Sequence, residues 1–123
     1  IVIVNINPLD RPEVPRSPQE IQNRINEISF NTSLLRELRG ISYAQAMRGR
    51  LDSNRDGMSN INIHMIADDV LMNELSVSTK MMPSPFLTVR MKQAGRDATD
   101  AFLESHSDDL GKRSSIDLEE MFL

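Results

Sequence analysis

Three groups of residues in this 123-residue chain are of types that do chemistry. Asp52, Asn54 and Asp56, followed by Gly57, repeat the alternate-oxygen spacing of the first half of an EF-hand calcium loop, where glycine makes the sharp bend. The twelfth position of such a loop, which should hold a bidentate Glu, is Ile63, so the run reads as a polar turn between a helix and a strand. Asp56-Gly57 also has the form of the dipeptide that carries the acidic residue in some serine hydrolases. No Gly-x-Ser-x-Gly elbow occurs in the chain to present a nucleophile beside it. His64 and His106 are the two imidazoles; they fall on different elements, and a lone His in a strand pattern reads as structural rather than as a base. Ser76, Ser78 and Thr79 bring hydroxyls near Lys80, a Ser–Lys arrangement by type, although the same spacing fits a helix-end cap. Asp108-Asp109 and Lys112-Arg113 read as a solvated helix end. The Ala94, Ala98, Ala101 ladder around Gly95 permits close approach of a helix or sheet. The sequence therefore assigns no catalytic, cofactor-binding or metal residue.

The elements that would position these groups are announced mainly by caps. Ile1-Val2-Ile3-Val4-Asn5-Ile6 is a β-branched run without polar alternation, as expected of a strand covered on both faces of a parallel sheet. Ser17-Pro18-Gln19-Glu20 is a capping box with Pro at the first helical position, and the spacing predicts a helix over 18–39. Ile21, Ile25, Ile28 and Leu35 form its apolar face, joined by Leu34 and Leu38, and Gly40 stands where a left-handed C-cap belongs. A second capping box, Ser42-Tyr43-Ala44-Gln45, predicts a shorter helix to about residue 51. A second strand is expected over 60–66 and a brief helix over 68–75. Ser84-Pro85 then opens a long helix to His106, and Gly111 closes that region. Ser114, Ser115 and Asp117 cap a last apolar turn carrying Ile116, Met121 and Phe122.

Composition narrows the function classes. At 39% hydrophobic and 26% charged, the chain has the balance of a folded domain rather than a disordered tail. With no Trp, one Tyr and eight Met, its core must rest on aliphatic side chains and flexible thioethers, so soft packing is expected. The net charge of −4, with no basic stripe, disfavours nucleic acid as a partner. Without Cys there is neither a disulfide nor a thiolate site, and the compartment stays undetermined. No apolar stretch reaches the ~20 residues that span a bilayer.

Ile6-Asn7-Pro8-Leu9, Arg11-Pro12-Glu13-Val14-Pro15, Arg24-Ile25-Asn26-Glu27-Ile28-Ser29-Phe30-Asn31 and Leu34-Leu35-Arg36-Glu37-Leu38-Arg39 succeed one another along the first third of the chain. Ile63-His64-Met65-Ile66, Ser78-Thr79-Lys80, Leu87 to Gly95-Arg96, and Gly111-Lys112-Arg113-Ser114-Ser115-Ile116-Asp117-Leu118 follow in order. Together these segments resemble the C-terminal part of bacterial patatin-like phospholipases, including the segment of unassigned function that completes those proteins. The resemblance implies a three-layer α/β fold with a largely parallel sheet. It also implies acyl-ester hydrolysis by a Ser–Asp dyad with a Gly-rich oxyanion loop. In the family all of those groups precede the region that resembles this chain, so no catalytic residue transfers, and Asp56 falls beyond the place of the family's Asp.

The expectation is a partial three-layer α/β fragment, helix-rich with two short strands. It would form a single C-terminal piece, with 1–66 ending a patatin-like core and 67–123 a helical segment. Both strands would lie at one side of a parent sheet, with the helices over 18–39 and 84–106 covering its faces. Its role would be non-catalytic: to complete and stabilise a lipid acyl hydrolase and to mediate oligomerisation. The expected partners are the remainder of the parent hydrolase, a second copy of the chain, and a lipid substrate or membrane surface met through the parent. The alternative is an independent helical interaction module that binds a protein or a lipid surface.

Overall fold

The β-branched run at the start forms β1 (Val2–Asn5), and it pairs in parallel with β2 (His64–Ala67), from Val2 opposite His64 to Asn5 opposite Ala67. Parallel neighbours need a crossover, and α1 (Pro18–Arg50) supplies it. The chain is seen in a computed structural model that describes residues 1–50, 61–75, 79, 82 and 84–122. The other elements among the described residues include α2 (Asp69–Glu74), α3 (Pro85–His106), a 3₁₀ turn (Ser107–Asp109) and α4 (Leu118–Phe122). The protein is thus a helix-rich mixed α/β chain with a two-stranded parallel sheet.

The caps read from the sequence at Ser17, Ser84 and Asp117 are formed, and Asp68 supplies a further one not singled out from the sequence. Ser17 Oγ accepts the Glu20 N–H at 3.2 Å, and Glu20 Oε2 accepts the N–H groups of Ser17 and Arg16 at 3.0 and 2.8 Å. Asp68 Oδ1 accepts the Leu71 N–H at the start of α2, and Ser84 Oγ accepts the Leu87 N–H at the start of α3. Asp117 Oδ1 accepts from Glu119 and Glu120, which starts α4. Gly111 adopts φ 75°, a left-handed conformation that favours glycine.

Three expectations are corrected. The helix predicted over 18–39 does not end at Gly40; it runs on through the second predicted helix as one element. A mid-helix glycine costs only about 1 kcal/mol, and Leu38 and Ile41, packed into the core on either side, hold the turn. Ser42, freed from capping, donates its hydroxyl to the Leu118 carbonyl at 3.3 Å. The second strand begins at His64, later than the 60–66 expected. The third correction concerns the sides of α1. Ile21, Ile25 and Ile28 are exposed, whereas Glu27, Asn31 and Leu38 are buried, so the predicted apolar face of the first half points away from the core.

The main core joins Leu38, Ile63 and Leu118 to Ile3, Leu34, Ile41, Met65 and Phe122. Successive strand residues point to opposite faces, so α1 and α4 cover the sheet face that carries Ile3 and Met65. On the other face Phe102 of α3 meets His64 edge-on, with ring centroids 5.9 Å apart. A smaller cluster packs Leu71, Met72 and Leu75 against Leu87, Met91 and Ala94, which fastens α2 to α3. Ala94 thus serves helix contact, while Gly95 has no neighbour close to where a Cβ would sit.

Candidate functional site

The most polar place in the interior is built on the first turns of α1. Arg24, Glu27 and Asn31 stand three and four residues apart and so share one helix face. That face meets the segment after β1, where Arg11 turns inward. The Arg11 guanidinium grips the Glu27 carboxylate with two bonds, Nη2 to Oε1 at 2.6 Å and Nε to Oε2 at 3.2 Å. Arg24 Nη1 adds a third bond at 3.3 Å, and Arg11 Nη1 reaches the Asn73 carbonyl of α2 at 3.4 Å. The Glu27 side chain has no exposed surface. Burial pushes its carboxyl up, but the hydrogen bonds and charges of Arg11 and Arg24 outweigh this and hold it below the usual carboxylate range. The bond to Glu27 likewise makes Arg11 hold its proton more tightly.

Beside this cluster Asn31 Nδ2 donates to the Pro8 carbonyl at 3.0 Å, and Asn5 Nδ2 donates to the Asn7 carbonyl at 2.7 Å. These bonds satisfy backbone acceptors that the proline-rich turn after β1 buries. A cleft of about 260 Å³ opens next to the cluster, lined by Arg11, Glu13, Glu20, Asn73 and Glu74 among others. Its walls carry three carboxylates and a guanidinium already committed to Glu27. The arrangement can neutralise and anchor, and among the described residues it presents no nucleophile.

The second polar locus joins α3 to the turn that follows. His106 Nδ1 lies 2.9 Å from Asp109 Oδ2, and Arg113 Nε donates to Asp109 Oδ1 at 2.6 Å. The bond from His106, with the bond and charge of Arg113, holds the Asp109 carboxyl below its ordinary range against the opposing effect of burial. Asp109 is therefore buried and paired, which corrects its reading as part of a solvated helix end. His106 also stacks against Phe102 at 5.4 Å, so both imidazoles flank one phenyl ring without meeting each other. His64 is 2% exposed, and its Nδ1 has no hydrogen-bond partner among the described residues. An imidazole–carboxylate pair can relay a proton when a nucleophile stands beside it. Here Asp109 instead ties the end of α3 to the turn at Arg113.

Of the other groups singled out from the sequence, residues 52–57 lie outside the described residues, as do Ser76, Ser78 and Lys80. Ile63, at the closing position of the would-be calcium loop, is wholly buried in the main core. Among the described residues no group of three or more His, Asp or Glu side chains is placed to hold a metal ion. No helix among them is long and apolar enough to cross a membrane. The Arg11–Glu27 pair escaped sequence reasoning. The available signal was the Arg24, Glu27, Asn31 spacing, which is equally that of a solvated stripe.

Comparison with family models, curated proteins and solved structures finds no match to this chain.

Proposed function

We propose that this chain is the non-catalytic C-terminal portion of a patatin-like lipid acyl hydrolase, completing a three-layer α/β body and stabilising it. The observation that carries this reading is the two-sided character of α1. Its inner face is closed by the turn after β1 and by the main core, yet Ile21, Ile25 and Ile28 on another side are each 44% exposed or more. Monomeric proteins rarely leave a contiguous apolar stripe to water, and a helix inside a larger α/β body has neighbours on several sides. The resemblance of the chain's segments to the patatin-like C-terminal region names that body.

The polar loci fit the same reading. The ion pairs of each fix the path of the backbone, as a supporting part requires. The test is turnover of a p-nitrophenyl acyl ester by the 123-residue chain and by a longer protein that contains it behind a nucleophile elbow. Hydrolysis by the longer protein alone is expected. Comparable turnover by the chain by itself would overturn the proposal.

A further inference from the structure

The two strands differ in what borders them. In a parallel pair each strand bonds to its neighbour through alternate residues and turns the backbone groups of the residues between to the other side. The His64 N–H donates to the Ile1 carbonyl at 2.9 Å, which, with the register, directs Ile1, Ile3 and Asn5 toward β2 and leaves Val2 and Val4 facing away. On β2 the same alternation turns Ile63 outward. There the Ile63 N–H donates to Ser114 Oγ at 3.1 Å and its carbonyl accepts from the Ser115 N–H at 3.0 Å. The segment before α4 therefore closes the outer side of β2 at its entry. Nothing among the described residues does so for β1.

The side chains repeat this asymmetry. On the face where α3 lies, His64 is covered by Phe102, whereas Val2 and Val4 are 52% and 68% exposed. The α3 layer ends over β2. The β1 edge also lacks the features that keep an edge strand single: no charged residue stands among residues 1–9, and Pro first occurs at 8.

We infer that β1 is the edge through which the sheet grows, its occupant an uncharged apolar strand accompanied by a helix over Val2 and Val4. A second copy of the chain pairing β1 with β1 would satisfy the backbone. It would leave the valines of both copies uncovered, because each copy's α3 lies over its own β2. A strand with its own covering helix satisfies both, and the remainder of the hydrolase proposed above is the source that this inference, resting on that reading, assigns.

Hydrogen exchange tests it in the 123-residue chain and in the longer protein, with the amides of Ile3 and Leu38 reporting that each is folded. The Val2 and Val4 amides should exchange quickly in the chain and at least about 100-fold more slowly in the longer protein, while the Met65 amide, on the outer side of β2, changes little. Equal exchange of Val2 and Val4 in the two proteins would overturn the inference. So would protection in the chain alone that rises with its concentration, since a second copy would then be the occupant. Slow exchange in a longer protein without ester turnover would support the growing edge while removing the hydrolase reading.

Discussion

Along its first half α1 turns Arg24, Glu27 and Asn31 inward, and along its second half Leu34, Leu38 and Ile41, although both halves belong to one unbroken helix. The halves face different neighbours. The second lies over the sheet and α4, where the side chains of Ile3, Met65 and Leu118 offer apolar surface, so burial there gains from the transfer of hydrocarbon out of water. The first lies against the turn over 7–16, which buries backbone carbonyls and the Arg11 guanidinium, so an apolar face would leave those groups without partners. Glu27 and Asn31 answer that need, and the isoleucines of the same half are displaced outward.

This contrast predicts different costs when each half is cut back. Glu27→Ala leaves Arg11 and Arg24 partly buried without their carboxylate. It should lower stability by about 4 kcal/mol, read from the urea midpoint at unchanged slope, whereas a change below about 1 kcal/mol would show that water readily replaces the carboxylate. Leu38→Ala removes hydrocarbon and opens a cavity at a site 1% exposed, at a cost of about 3 kcal/mol. A comparable loss from the exposed Ile25→Ala would mean that the assignment of inner and outer faces is wrong.

Acid should produce the smallest effect, because a protonated Glu27 keeps its volume and part of its hydrogen bonding. The carboxyl is held below its ordinary range in the folded chain, so its contribution is fully present above the unfolded value of about 4.3 and is lost as pH falls through the folded value. The melting temperature of the native chain should therefore fall more steeply below pH 4.3 than that of the Glu27→Ala variant. Parallel curves for the two would remove the charge-based account of this half.

The helix starts at Ser17 and Ser84 and the last capped turn were legible in the residues, because a cap is a bond between groups three residues apart. Ser17 with Glu20 and Ser84 with Leu87 are of this kind. The capping box at Ser42, by contrast, was overridden when the helix ran on through it. Helix continuity at Gly40 was not legible, since glycine's preference for a C-cap is worth less than the packing that Leu38 and Ile41 reach on either side. The inner side of α1 was hidden for a related reason. Its first half offers an apolar stripe and a polar one, and spacing cannot say which will meet the turn after β1.

The sequence by itself determined that helices begin after Ser17 and Ser84, which runs become strands, and that no Gly-x-Ser-x-Gly elbow or Cys stands in these 123 residues. Those properties are local. Tertiary structure alone decided that Arg11 closes on Glu27 across 16 positions, that Asp109 is shared between His106 and Arg113, and that Ile63 is met by Ser114 and Ser115 while Val2 and Val4 are not. Each of these depends on desolvation at a particular place, and only the folded chain sets which charges and backbone groups lose their water.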